Sequence, residues 1–320
     1  MNRKDAAEKM EEDVHRYYPL LFAIAYRMLG SASDAEDIAQ DCYVRYVQTS
    51  PSEIHSLKSY LTTIVTRLCL DHLKSARVQR EQYLGLWLPE PVRTANLEDV
   101  VVHTLEQRES IATAFLLLLE RLTPYERAVL LLHEVFDYRY EEIAEIVGKS
   151  AVHCRQLLHQ AKEHLGGYHT RFVPAPESQQ RLVERFLTAC QEGNLQALID
   201  LLAEDVTWWA DGGGKVIAAP YPLQGRDRVL RLLFGLLRKA PAAMRLVPTE
   251  INGSIGLLAW VGESLFSAVT FEMMEEHIHT MYEVANPDKL VYLQRQMQTG
   301  QNEPSRAEGG DPLLRNPVLP

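Results

Sequence analysis

Arg155, Gln156 and His159 fall on one side of a short helical stretch, together with Val152. At about 3.6 residues per turn, Cys154, Leu157, Leu158, Ala161 and Leu165 fall on the opposite side. Guanidinium, amide and imidazole groups can hydrogen-bond base edges and phosphates. The chemistry of this face is therefore recognition, with no bond made or broken. The same pattern also fits an ordinary helical hairpin with a solvated face.

The elements that must hold this face can be read around it. Glu141 to Val147 forms a first helix, with Ala144 as the small residue that permits close approach. Gly148 suits the helix end, where a left-handed backbone costs little. Ser150 suits the N-cap of the second helix, its hydroxyl taking up a free backbone N–H. The unit is a helix-turn-helix.

Two further charged faces lie upstream. A helix from Ser33 to Gln48, opened by Ser33, presents Asp34, Glu36, Asp37 and Asp41, with Arg45 one turn on. It is either a solvated surface or a docking face for a basic partner. A helix from Tyr60 to Arg80 is basic toward its far end, with Arg67, Lys74, Arg77 and Arg80 against Asp71. Thr62, Thr63, Thr66 and His72 add polar reach, and such a face can track a phosphate backbone. Two DNA-contact units on one chain can bridge separated DNA elements.

The C-terminal half changes character. Glu177 to Leu202 reads as helix, Val206 to Trp209 as strand and Asp227 to Arg238 as helix. Short β-prone runs follow between Met244 and Leu293, with turns at Asn252-Gly253 and Gly262. Asp211-Gly212-Gly213-Gly214-Lys215 can be an anion-binding loop, a docking loop or a plain turn. It is not a Walker loop, because Trp209 stands where the first glycine belongs and Val216 replaces the Ser or Thr. Asn286-Pro287-Asp288-Lys289 reads as a turn into a helix. Asp211, His277 and His279 are the side chains available for acid–base chemistry in a pocket.

The whole chain narrows these options. Its 320 residues, 46% apolar, suffice for two or three domains. The net charge of −10 argues against strong binding to bare DNA, so a reader of DNA needs local basic patches or a partner. Cys42, Cys69, Cys154 and Cys190 are widely spaced and read as reduced core cysteines, with neither a disulfide framework nor a zinc site. No apolar run reaches the length of a membrane span and the N-terminus lacks a signal core, so a cytoplasmic location is expected. Leu97 to Leu122 reads as a further helix, and the tail after Thr299 as disordered.

The order of these motifs resembles the extracytoplasmic-function class of RNA polymerase sigma factors. Asp34-Ala-Glu-Asp37-Ile-Ala-Gln40-Asp41 matches the acidic helix of region two in that class. The resemblance implies docking on the clamp helices of the polymerase β′ subunit through Asp37, Gln40, Asp41 and Arg45, with the β flap as a second docking site. Ser59 to Leu73 matches the pattern S-Y-L-x-x-I-x-x-R-L-x-x-D-x-L. By the same resemblance Arg67, Asp71, His72, Lys74 and Arg77 recognise and help melt the −10 element, with residues 54–57 of the preceding loop. Leu122 to Leu132 matches the L-T-P-x-E-R-A-V-L-L-L run of region four, and Ser150, Arg155, Leu158, His159 and Ala161 match its recognition helix. His153, Arg155, Gln156 and His159 are then implied to read the −35 element, with Lys149 and Lys162 on phosphates. Gln160-Ala161-Lys162 departs from the Arg-Ala-Arg of many members, which thins the positive charge.

The C-terminal half resembles a SnoaL-like domain, a cone of curved sheet over helices with an internal pocket. Three motifs resemble the sigma subgroup carrying this extension: Trp87-Leu88-Pro89-Glu90-Pro91, Asp211 to Lys215, and Asn286 to Leu290. The resemblance implies control from within the chain, replacing a separate anti-sigma factor. The expected fold is multidomain, with two all-α N-terminal domains followed by an α+β cone. Expected boundaries are 10–82 for region two, 83–107 for a linker, 108–170 for region four, 178–298 for the cone and 299–320 for the tail. Core polymerase, promoter DNA and a small-molecule ligand in the cone are the expected partners. No membrane, metal, cofactor or catalytic residue is expected. A stand-alone helix-turn-helix regulator and a cyclase-like cone are the alternatives.

Overall fold

The computed structural model describes residues 3–49, 54, 56–81, 83–94, 111–166 and 175–300. The chain divides into two compact units. The first joins residues 3–81 with 111–166, and the second joins 83–94 with 175–300. The expected boundaries inside 95–110 and the tail after 300 lie outside the described residues, as does most of the loop before the third helix.

In the first unit, α1 (Arg3–Leu29), α2 (Ala32–Val47) and α3 (Leu57–Glu81) form a bundle. Leu21, Phe22, Ala25 and Leu29 are buried along one side of α1, as their spacing predicts. Gly30, at φ 67°, ends that helix. The next helix begins earlier than expected: Ser31, not Ser33, is its N-cap, and its Oγ accepts the Asp34 N–H at 3.1 Å. The third helix also begins earlier, at Leu57.

The helix expected over 97–122 is shorter within the described residues. It appears as α4 (Thr113–Leu119), and a turn through Glu120 to Leu122 separates it from α5 (Pro124–Leu130). The separation has a local cause. Thr123 caps α5 in a reciprocal capping box with Glu126, and Pro124 fits the first helical position. After a π-helical turn at Leu131–Val135, α6 (Tyr140–Val147) ends at Gly148, at φ 68°. Then Ser150 caps α7 (Ala151–His164), its Oγ accepting the His153 N–H at 3.2 Å. The helix-turn-helix thus forms where its residues predict.

These later helices pack on the first three. Arg127 of α5 donates to the Met28 carbonyl at 2.6 Å and to Glu120 at 2.9 Å. Thr62 of α3 hydrogen-bonds Tyr138 at 2.9 Å, and Thr62 and Thr66 are wholly buried. Polar reach from these two threonines toward DNA is therefore a reading to correct: their side of α3 is covered by packed helices.

In the second unit, α8 (Pro176–Glu192) and α9 (Leu195–Leu201) replace the single helix expected over 177–202. Gly193, at φ 62°, ends the first, and Asn194 caps the second through the Ala197 N–H. Next come β1 (Leu202–Asp211), β2 (Leu223–Gln224), α10 (Arg226–Lys239), β3 (Met244–Ile251), β4 (Ser254–Val261), β5 (Ser264–Met274), β6 (His277–Val284) and α11 (Pro287–Gly300). The sheet order is β2-β1-β6-β5-β4-β3, antiparallel except for the parallel pair β1 and β6. Val206, Trp208 and Ala210 alternate into the core, where they meet Leu182, Val183 and Phe186 of α8 and Val229, Leu230 and Leu233 of α10. This is the α+β cone expected from the sequence. Among the described residues no helix is long and apolar enough to cross a membrane.

Candidate functional site

On α2, Asp37, Gln40, Asp41 and Arg45 are all exposed, while Ile38, Ala39 and Cys42 turn inward. Val44 and Val47 are also exposed, at 51% and 47%. The exposed face of α2 therefore combines acidic, amide and basic side chains with two valines. These two valines were not singled out in the sequence, although helical spacing aligns Val44 with Asp37 and Asp41, and Val47 with Gln40 and Val44.

The basic helix is partly engaged within its own unit. Arg67 donates from Nε to the Ile146 carbonyl at 3.0 Å and from Nη2 to the Glu145 carbonyl at 3.1 Å. A cation at the C-terminal carbonyls of α6 also sits at the negative end of that helix dipole. Asp71 pairs with Lys74 at 2.8 Å, and this partner holds the Asp71 carboxyl below its usual range. His72 lies 3.4 Å from Asp34 of α2. Arg77 lies on α3, but its side chain is outside the described residues.

On α7, Cys154, Leu157, Leu158 and Ala161 are buried, and Leu165 just beyond it is half-buried. Val152, His153, Arg155, Gln156, His159 and Lys162 are exposed, as is Lys149 before the helix. Arg155 pairs with Glu141 at 3.2 Å and lies over the Tyr140 ring at 5.0 Å. His153 and Gln156 meet at 3.4 Å. His159 lies 3.5 Å from Glu163, and Lys162 lies 2.9 Å from Glu134. Lys149 sits over the Tyr125 ring at 4.8 Å. Exposed pairs of this kind are individually weak, so phosphates can replace the carboxylates at small cost.

The second unit brings together three motifs far apart in sequence. Asp211, at the end of β1, is fully buried and enclosed by donors. Its Oδ1 accepts from the Tyr83 hydroxyl at 2.5 Å and from the Gly213 N–H at 3.0 Å. Its Oδ2 accepts from the Leu88 N–H at 2.9 Å and from Lys289 Nζ at 2.6 Å. Lys289 also donates to the Leu88 carbonyl at 2.6 Å and lies 4.4 Å from the Trp87 ring centre and 4.7 Å from that of Tyr83. Four donors on one carboxylate satisfy it without water. Burial, reinforced by the bond to Asp211, pushes the Tyr83 phenol well above its ordinary range.

Each motif has a local reason for its sequence. Asn286 accepts the Asp288 N–H on Oδ1 at 3.1 Å and starts α11, with Pro287 at the first helical position. Its Nδ2 donates to the Tyr83 oxygen at 2.9 Å. Gly213 has φ 58°, and a Cβ there would lie 2.2 Å from Asn286 Nδ2. Gly214 has φ 70°, and its Cβ would lie 2.9 Å from Leu84. Gly212 closes the turn by accepting the Lys215 and Val216 N–H groups, and Lys215 pairs with Asp288 at 2.5 Å. Of the three readings of the glycine run, the structure shows a tight turn packed against residues 83–88 and 286.

The chain through Leu88 to Val92 is buried, including Pro89 and Pro91. Beyond the prolines it runs beside β3. Val92 and Asn252 exchange hydrogen bonds at 3.0 and 2.9 Å, and Arg93 bridges Ile251 in antiparallel fashion. Thr94 donates to Glu250 at 2.8 Å, and the Arg93 N–H donates to Gln296 at 2.8 Å. Residues 83–94 are thus clasped by the cone. Tyr83, Asn252, Glu250 and Gln296 were not singled out in the sequence. Only the Asn-Gly turn at 252 gave a signal, and that signal indicated a hairpin.

Asp211, His277 and His279 do not converge. The parallel register puts Asp211 opposite Val284 and Leu202 opposite Ile278, at opposite ends of the sheet. His277 is exposed and His279 lies 3.6 Å from Asp205. No acid–base pair forms from these three. Among the described residues, no three His, Cys, Asp or Glu side chains gather as a metal-binding group.

Comparison with known proteins is consistent along the chain. Residues 14–78 match the Sigma-70 region 2 family and residues 112–165 match Sigma-70, region 4. The ECF RNA polymerase sigma factor SigJ of Mycobacterium tuberculosis is 31% identical over 281 residues, covering 85% of this chain and 90% of that protein. A probable ECF sigma factor, SigI, of the same species is 31% identical over 290 residues, covering 89% of this chain and 96% of its own. The crystal structure of SigJ superposes with a TM-score of 0.66 at 27% identity, covering 90% of this chain and 98% of that one.

Proposed function

Because the chain belongs to the extracytoplasmic-function RNA polymerase sigma factors, we propose that its promoter engagement is set by the cone's grip on the segment between region two and region four. Sigma factors bind core polymerase and promoter DNA and direct transcription initiation. In this reading the exposed α2 face, through Asp37, Gln40, Asp41 and Arg45 with Val44 and Val47, docks on the β′ clamp helices, and the β flap receives region four. Arg67, Asp71, His72, Lys74 and Arg77 serve the −10 element. His153, Arg155, Gln156 and His159 serve the −35 element, and Lys149 and Lys162 its phosphates. The polymerase performs the chemistry, and no residue of this chain acts catalytically.

The observation that carries the regulatory part is the enclosure of Asp211. It ties residues 83–88, which follow region two directly in sequence, to β1 and α11 of the cone. The reach of region four from region two depends on how many linker residues are free. A clasped linker shortens that reach and a released one lengthens it. Within the first unit, Arg67 would also have to exchange the α6 carbonyls for DNA. The net charge of −10 is tolerable because polymerase supplies part of the binding.

The test is co-elution of the full chain with core polymerase, followed by transcription from promoter fragments. Complex formation and chain-dependent transcripts are expected. Asp37→Arg with Asp41→Arg should weaken the complex. A chain that binds promoter DNA equally well without polymerase would instead favour a stand-alone regulator.

A further inference from the structure

The cone encloses a cavity of about 250 Å³ between α8, the end of α10 and the sheet. Its walls are mostly apolar and include Phe186, Leu233, Leu257, Val269 and Met281. Leu236 and Phe266, exposed at 43% and 49%, also line it and give it an apolar mouth. Glu283 of β6 is the exception in this lining. The residue is half-buried, and it lines the cavity with its carboxyl closely surrounded by protein. The Trp208 Nε1–H donates to its Oε2 at 3.2 Å, and Ser267 bonds it as well. The other charged residue of the lining is Lys239, exposed at the last turn of α10. No proposed promoter or polymerase contact uses this cavity.

The chemistry of the walls narrows the occupant. An indole N–H can only donate, so Glu283 is held as an acceptor. An acceptor inside an apolar chamber selects a ligand that brings a donor, and a carboxylate with neutral neighbours is best matched by a cation. The volume suits one or two rings, roughly ten to fifteen non-hydrogen atoms, since cavities of about 150 Å³ take benzene. We propose that this cavity is a binding site for a small apolar amine, its nitrogen on Glu283 and its hydrocarbon part between α8, α10 and the sheet. Burial already pushes the Glu283 carboxyl above its ordinary range, and an ammonium partner would restore its ionised form. The cone would then be a receptor as well as a clasp.

The experiment uses the full chain and three probes with one skeleton: 4-phenylbutylamine, 4-phenylbutanol and 4-phenylbutyrate. Binding is read by calorimetry and by Trp fluorescence, since Trp208 lines the site. Saturable binding is expected, tightest for the amine, weaker for the alcohol and absent for the carboxylate. Glu283→Gln, which keeps the shape and an acceptor for Trp208, should weaken the amine about tenfold or more and leave the alcohol nearly unchanged. Ala259→Phe, which fills the cavity, should abolish binding of all three. Absence of saturable binding, or a carboxylate that binds as well as the amine, would overturn the assignment. This comparison uses the natural chain, so it holds even if a variant fails to fold.

Discussion

Lys289 and Asp211 form a buried ion pair at 2.6 Å, with side chains 8% and 0% exposed, between two motifs 78 residues apart. The pair is not simply a stabilising contact, because burying two charges costs about as much as their attraction returns. Its geometry is specific, since Leu88 meets both partners, one through its N–H and the other through its carbonyl. That fixes where the linker lies.

Removing one partner should be far worse than removing both. Lys289→Met leaves a buried carboxylate and is expected to destabilise the second unit by about 3–5 kcal/mol. Asp211→Asn in the same chain should recover part of that loss. Urea unfolding followed by Trp fluorescence measures both, and limited proteolysis should show cleavage within residues 83–94 in the single variant first.

Two glycines should respond in opposite directions to alanine. Gly213→Ala places a Cβ against Asn286 at positive φ, so it should destabilise the turn and loosen the linker. Gly235 lies inside α10 with open space where its Cβ would go. Gly235→Ala should stabilise by about 0.5–1 kcal/mol. Thermal melting of the two variants beside the natural chain tests the contrast.

Glu283 makes a pH-dependent prediction. Its folded pKa is raised, chiefly by burial, so the unfolded chain ionises first as pH rises. The penalty is absent below the ordinary carboxylate range and grows until the folded group ionises. Glu283→Gln should therefore gain stability relative to the natural chain as pH rises from about 4 toward 7. Melting temperatures across that range check the sign, and a constant difference would contradict it.

All four cysteines are free and buried. Burial pushes the thiols of Cys42 and Cys190 up to about 12 and raises that of Cys154, so little reactive thiolate exists at neutral pH. An aromatic disulfide reagent should label the native chain slowly and react with four thiols once it is unfolded in denaturant.

Much of this was legible in the residues. The capping serine at 150 and the glycine at 148 follow from short-range rules and stand where those rules put them, and the strand expected over Val206 to Trp209 forms but extends to Leu202 and Asp211. The break at Gly193 was missed because apolar spacing runs through it, and the helix expected to end at Leu122 stops three residues sooner; in both places the residues that set the boundary are local capping details. Burial of Thr62 and Thr66 could not be read, because it comes from helices that pack on α3 from about 75 residues away. Asp211, Gly213 and Asn286 were noticed as motifs, but their convergence depends on the parallel pairing of β1 with β6. Glu283 was passed over because one acid within a β-prone run gives no sign that it faces a cavity.

Transcription by core polymerase with the natural chain or with Lys289→Met, on a template whose start site depends on this chain, tests the regulatory account most directly. Proteolysis of the same samples reports whether the linker is released. Release of the linker is expected to change promoter output severalfold while binding to core polymerase is retained. Equal output from a chain whose linker has been shown to be free would contradict it.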